Sequence, residues 1–410
     1  MKQRRYNYDF PVTLRTEEIE SLTDFDAAIG RTSDLNGWFV QSVDLTERGD
    51  ELRRVDVTGA VFLGCTFSVG TEASLRARGA LLFPTLPDLP FDPYRSDLYD
   101  ADELYSDGHL GLLDGTPYQR CLDAEVYAWT RRTHLHRRLD SSLAVALHDH
   151  AITDALDEAT VGIDRDDVIG VMGGHALRRG TGEYRAAAEV GARLTWAGRT
   201  VLTGGGPGAM EAANLGAYLS GHVTAEDELD AVLDTAVRDL GRHADFHGDL
   251  DGWAAAALRV RRRWAPERAG HSIGIPTWFY GHEPPNVFAT EIAKYFTNAL
   301  REDTLLARCR GGIIYLPGAA GTVQEVFQAV TENYYAADAG RIAPLVLVGR
   351  QHWTESLPVW PLLQALGRRR AMGAHIHCVD TVAEAVTTLV GDGAEVPAAA
   401  GPGPAAPEHA

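Results

Sequence analysis

From Asp166 onward the chain alternates short, continuously apolar runs with segments of helical periodicity, and this alternation restricts the fold more than any other feature. Residues 168–172, 200–203, 272–275, 312–316, 343–348 and 374–378 are the apolar runs. Residues 183–197 and 207–219 fit helices between the first of them, and an acidic insert opening at Glu226-Asp227-Glu228 precedes Ser272. Strands that are apolar on both faces and separated by helices predict an α/β fold, a doubly wound parallel sheet of Rossmann-like type covered on both sides. Ligands of such sheets bind beyond the C-terminal ends of the strands.

The first 150 residues read differently. Residues 38–45 and 55–63 are rich in Val and aromatic residues and predict β-strands, with a spacing that hints at a short repeated unit. The proline-studded stretch 84–93 reads as an extended loop, and 141–159 as a helix leading into the next domain. The sequence thus predicts a separate β-containing, then loop-rich region over 1–150, the α/β domain over 151–391, and a disordered Pro, Gly and Ala-rich tail over 392–410.

Charge excludes some functions. With 38 Lys plus Arg against 57 Asp plus Glu among 410 residues, the formal charge is −19. Sequence-independent nucleic-acid binding needs clustered cations and is not expected. No apolar run approaches the ~20 residues that span a bilayer. Polar Asn7-Tyr8-Asp9 stands where a secretory signal is apolar, so a cytoplasmic protein without membrane partners is expected. Cys65, Cys121, Cys309 and Cys378 are scattered, without the paired spacing of a zinc site. Lys2 and Lys294 are the only lysines, which leaves Lys294 as the plausible Schiff-base residue.

Two glycine loops carry the chemistry. Gly204-Gly205-Gly206-Pro207-Gly208-Ala209-Met210-Glu211 follows a strand and opens a helix, where free backbone N–H groups hold a phosphate. Its spacing does not match the dinucleotide fingerprint, which disfavours an NAD enzyme. A tight strand-to-helix turn without a ligand is the other reading. Pro317-Gly318-Ala319-Ala320-Gly321-Thr322 repeats the strand, loop and helix order, and Glu325 follows. Thr322 and Glu325 also have the T-x-x-E spacing of a capping box, in which Glu325 would only close the helix start. Residues 286–308 read as one helix with Glu291, Lys294, Asn298 and Arg301 on a single polar face, turned either to solvent or to a ligand.

Together these residues resemble the LOG (LONELY GUY) family of phosphoribohydrolases, often mislabelled lysine decarboxylases, whose hallmark P-G-G-x-G-T-x-x-E is matched by Pro317 to Glu325. The similarity runs from about Val168 to Val390. Gly173-Gly174-His175, the loop from Gly204 to Glu211 with Ala212, and Glu283-Pro284-Pro285-Asn286 look closer to the bacterial nucleotide 5′-monophosphate nucleosidases of that superfamily. Ala319 departs from the motif's second glycine, and Arg301, the candidate for the family's catalytic arginine, stands one residue further from Pro317 than usual.

The resemblance implies hydrolysis of a nucleoside 5′-monophosphate to free base and ribose 5-phosphate without metal or cofactor, in a homodimer or higher homo-oligomer. Glu325 and Arg301 would be the catalytic pair. Gly173, Gly174, His175, Gly204, Gly205, Gly206, Gly208, Ala209, Met210, Glu211, Asn286, Pro317, Gly318, Gly321 and Thr322 would bind the substrate. The alternative is a non-catalytic nucleotide sensor with residues 1–150 as its effector module.

Overall fold

A computed structural model describes residues 3–4, 16–106, 118–134, 139–280 and 284–391. The predicted tail, Glu283 and the start of the chain at Asn7-Tyr8-Asp9 lie outside them. Packing divides the chain into two units, Met1–Leu98 with Arg131–Ala159, and Tyr99–Thr130 with Thr160–Ala410.

The first unit is built from a repeat. Strands β1 (Gln3–Arg4), β2 (Thr16–Ile19), β3 (Trp38–Gln41), β4 (Val61–Leu63) and β5 (Leu81–Phe83) form one sheet in that order. All neighbours from β2 to β5 are parallel, and β1 alone is antiparallel. Phe39 pairs with Val61, and Val61 with Leu81, so each turn of chain takes about 20 residues. Gly37, Gly59 and Gly79 precede successive strands with φ of 77°, 78° and 92°, the left-handed region that glycine enters without a Cβ penalty. Asp34 and Asp56 recur at equivalent places and each accepts a backbone N–H two residues on, from Asn36 and Thr58. Ile19, Phe25, Val40, Leu52, Phe62 and Leu75 lie in the core of this unit.

The second unit holds the parallel sheet. Strands β6 (Val168–Met172), β7 (Thr200–Thr203), β8 (Ser272–Gly274), β9 (Glu291–Ile292), β10 (Gly312–Tyr315), β11 (Leu345–Val348) and β12 (Ile376–Val379) are arranged β12-β11-β10-β6-β7-β8-β9, all parallel. Every residue of β6, β7, β8, β10 and β11 is buried, as two covered faces require. The chain moves outward from β6 to β9 and then returns to pair β10 on the other side of β6. The order therefore reverses between β6 and β10, which opens a crevice at the C-terminal ends of these strands.

Two differences from the sequence reading concern boundaries. The segment Tyr99–Thr130 groups with the second unit rather than with residues 1–150. Tyr99 exchanges backbone hydrogen bonds with Ile292, Asp102 pairs with Arg261 Nη1 at 2.7 Å, and Asp123 pairs with Lys294 Nζ at 2.5 Å. The predicted helix 286–308 is corrected to a helix over Asn298–Arg308 only. Ile292, Ala293, Lys294, Tyr295 and Phe296 are all buried, so the segment is covered on both faces and runs extended through β9. Glu291 and Lys294 thus share no helical face with Arg301; Glu291 pairs with His271 instead.

No described helix is long and apolar enough to cross a membrane.

Candidate functional site

Three loops meet at the reversal. Gly173 and Gly174 leave β6, Gly204 to Gly208 leave β7, and Pro317 to Ala319 leave β10 for the helix Ala320–Tyr335. The Gly174 N–H donates to Pro317 O at 3.1 Å, and the Ala209 N–H donates to Gly174 O at 3.2 Å. This lock needs close backbone approach. A Cβ on Gly173 would come within 2.7 Å of Ala209 Cβ, and one on Gly208 within 2.7 Å of His175 O. Gly208 also has φ 73°.

The loop after β7 is fixed from inside. The Thr203 hydroxyl accepts the Gly205 N–H at 3.0 Å and donates to Asn214 Oδ1 at 2.7 Å. Asn286 Nδ2 donates to the same Asn214 oxygen at 2.9 Å and to Gly206 O at 3.4 Å, while Asn214 Nδ2 donates to Ser272 Oγ at 3.0 Å. Asn286 is 1% exposed and braces the loop. Glu211, fully buried, takes a two-pronged ion pair from Arg179 and a 2.8 Å hydrogen bond from the Tyr184 hydroxyl. Arg179 also lies 3.2 Å above the Trp253 ring. The predicted ligand residues Asn286 and Glu211 are thereby engaged in the interior. Residues from Gly204 to Ala209 are buried, and the half-buried Met210 folds its thioether back on Gly204 and Gly206. Pro207 lies before the helix, which starts at Ala209.

The loop after β10 is open. Pro317, Ala319, Ala320 and Gly321 are exposed. The helix is capped by Ala319, with no side-chain cap bond, and its first intrahelical donor is the Val323 N–H. The N–H groups ahead of it, on Ala320, Gly321 and Thr322, belong to the unsatisfied first turn of a helix. Thr322 is the third residue of the helix, not its cap, and packs on Gly318, so the capping-box reading fails: Glu325 caps nothing. Ala319 has φ −119°, where a Cβ is tolerated, and its departure from glycine leaves the turn unstrained. His352 Nε2 lies 3.1 Å from Gly318 O. His175 is exposed at the rim.

Arg301 and Glu325 join the two loops. Arg301 Nη1 stands 3.5 Å from Glu325 Oε1, with side-chain exposures of 7% and 13%. Its Nη2 lies 3.5 Å from where a Cβ on Gly204 would be. Arg301 therefore faces the site and not the solvent. Burial pushes the Glu325 carboxyl up to about 7; Arg301 opposes the rise and the neighbouring Glu302 adds to it.

Sequence reasoning missed a polar cluster alongside this pair. Glu302, 8% exposed, accepts from the Tyr280 hydroxyl at 3.1 Å, Asn298 Nδ2 at 2.7 Å and Gln324 Nε2 at 2.6 Å. Glu302 and Gln324 each stand next in sequence to a member of the catalytic candidate pair, which was the available signal.

Residues 258–389 match the family model described as "Possible lysine decarboxylase". No curated protein matches the sequence. Among solved structures, the molybdenum cofactor carrier protein from Chlamydomonas reinhardtii is similar at 18% identity and a TM-score of 0.31, over 54% of this chain and 93% of that one. The matched segment contains Arg301 and the whole Pro317 to Glu325 motif. Residues 258–389, about a third of the chain, are thus similar to the family described as possible lysine decarboxylases.

Proposed function

We propose that this protein hydrolyses the N-glycosidic bond of nucleoside 5′-monophosphates. The observation that carries the reading is the Arg301–Glu325 pair, largely withdrawn from solvent at the strand-order reversal and free of any capping duty. The helix start, exposed at Ala320 and Gly321, supplies N–H groups for the 5′-phosphate, and Arg301 adds a charge-assisted bond to phosphate or ribose.

Cleavage breaks the bond between C1′ and the base nitrogen while positive charge builds on the ribose. The Glu325 carboxylate stabilises that charge and takes a proton from the attacking water, whose oxygen bonds to C1′. The base departs with the bonding electron pair and takes a proton from solvent, leaving ribose 5-phosphate, and Glu325 returns the proton it took from the attacking water to solvent. Arg301 favours the charged form of Glu325 against burial, which keeps a working fraction of carboxylate near neutral pH.

Decarboxylation of lysine, the activity in the family's description, is not supported. A pyridoxal phosphate enzyme needs a lysine free to form a Schiff base. Lys2 lies outside the described residues. Lys294 is 3% exposed, ion-paired with Asp123 at 2.5 Å and placed 5.1 Å from the Trp278 ring, so it does not fit that cofactor.

The test is incubation with AMP, GMP, CMP and UMP, with chromatographic detection of free base and ribose 5-phosphate. Release of base from at least one supports the reading. Tight binding without release would replace it with the sensor.

A further inference from the structure

We infer that Asn298 reads the 2′-hydroxyl of the substrate ribose, with Arg301 Nε completing the contact; the inference rests on the nucleotide reading above. It starts from two buried polar atoms. Asn298 Oδ1 and Arg301 Nε have no hydrogen-bond partner among the described residues. Buried polar atoms of this kind are rare in folded proteins and call for an explanation.

The orientation of the Asn298 amide is not arbitrary. Its Nδ2 donates to Glu302 Oε1 at 2.7 Å and to the Tyr280 hydroxyl oxygen at 2.7 Å, while that hydroxyl gives its own proton to Glu302. Turning the amide over would set Oδ1 against a carboxylate that only accepts. Gln324 holds the other Glu302 oxygen at 2.6 Å, so the cluster is anchored on both helices that carry the site. Asn298 Oδ1 is therefore a fixed acceptor lacking a donor.

Arg301 follows Asn298 by three positions on the helix Asn298–Arg308, which puts the two side chains on one face as neighbours. An acceptor and a donor on one helix face are both satisfied by a group that gives one hydrogen bond and takes one, such as a ligand hydroxyl. Phosphate oxygens cannot donate to Oδ1, and a protonated amine cannot accept from Nε. A nucleoside monophosphate offers the 2′- and 3′-hydroxyls. The guanidinium of the same Arg301 reaches Glu325, the group set against C1′, and the hydroxyl next to C1′ is the 2′. Hydrogen bonds to that hydroxyl strengthen as charge develops on the sugar.

The experiment measures kcat/KM for AMP, 2′-deoxyAMP and 3′-deoxyAMP with the full-length protein and with Asn298→Ala. The readout is the ratio of AMP to 2′-deoxyAMP, because deoxyribosyl bonds are intrinsically easier to break. Asn298→Ala is expected to lower this ratio about tenfold, the worth of one hydrogen bond, and to leave the ratio of 2′-deoxyAMP to 3′-deoxyAMP shifted toward the former. An unchanged ratio with both rates reduced alike would mark Asn298 as merely structural and overturn the inference, as would a change confined to the 3′ position. If the unaltered protein prefers another base, the matching ribo, 2′-deoxy and 3′-deoxy monophosphates of that base are used; if it releases base from none of AMP, GMP, CMP and UMP, the nucleosidase reading fails by itself. The same ratio is then read from Kd values for AMP and 2′-deoxyAMP, and a ratio that Asn298→Ala leaves unchanged sinks the inference there too.

Discussion

The two glycine loops look alike as sequence and differ as structure. Both follow a buried strand and open a helix, yet the loop from Gly204 to Gly208 is buried and tied down by Thr203, Asn214 and Asn286, whereas Pro317, Ala319, Ala320 and Gly321 are exposed. In the first, the Ala209 N–H is spent on Gly174 O. In the second, the first-turn amides of Ala320, Gly321 and Thr322 precede the first intrahelical bond, from the Val323 N–H to Ala319 O. Glycine in the first loop answers a demand for close backbone approach, whereas in the second Gly318 makes room for the Thr322 side chain and Gly321 faces open space. The difference makes the first loop scaffold and leaves the second as the one that the proposed function needs for the phosphate.

The largest expected effect falls on the open loop's helix. Glu325→Gln keeps the shape of the side chain and removes its charge. Base release is expected to fall by about a thousandfold or more, equivalent to roughly 4 kcal/mol on the barrier, while the fold survives because Glu325 caps no helix. In the unaltered protein, kcat/KM should rise with pH through about 7 as Glu325 ionises. Stability runs the other way. A carboxyl raised from 4.5 to about 7 contributes stability that is complete below pH 4.5 and lost as pH rises through 7. The melting temperature of Glu325→Gln relative to the parent should therefore improve across that interval. Unaltered turnover, or a flat stability difference, would remove Glu325 from the role given to it.

The buried loop should respond in stability first. Gly208→Ala puts a Cβ at φ 73° against the Gly174 and His175 carbonyls, and is expected to destabilise by about 3 kcal/mol. Gly321→Ala in the open loop meets no atom within 4 Å and should fold as the parent does. Chemical denaturation of the two variants checks the contrast; equal losses would erase the distinction between scaffold and site.

How far the sequence showed this depended on whether a signal was local. The strands β6, β7, β8, β10, β11 and β12 fall within a few residues of the apolar runs, because two-sided burial writes itself into a continuous run. The segment 286–297 misled for the same reason. Its polar Glu291 and Lys294 fit a helical period, but their partners His271 and Asp123 are distant in sequence, and nothing local shows that they pair. The T-x-x-E spacing misled in the opposite direction: it is a capping signature, and the helix begins two residues before Thr322, so the cap falls on Ala319. Thr203, Asn214, Ser272 and Asn286 form their network across 83 positions of chain, from 203 to 286, and no single stretch could disclose it.

The smallest effect concerns Ala319, where the chain departs from the motif. If the second glycine of P-G-G served a positive φ, restoring it would relax the turn and strengthen phosphate binding. The observed φ of −119° needs no glycine, and the side chain is exposed. Ala319→Gly therefore relieves no strain. It adds only freedom to the unfolded chain, which lowers stability by about 0.5 kcal/mol, and base release should stay within about twofold of the parent. A large gain in rate would mean that the loop binds phosphate through a conformation other than the one described, and that the open loop, like the buried one, is constrained at its glycines.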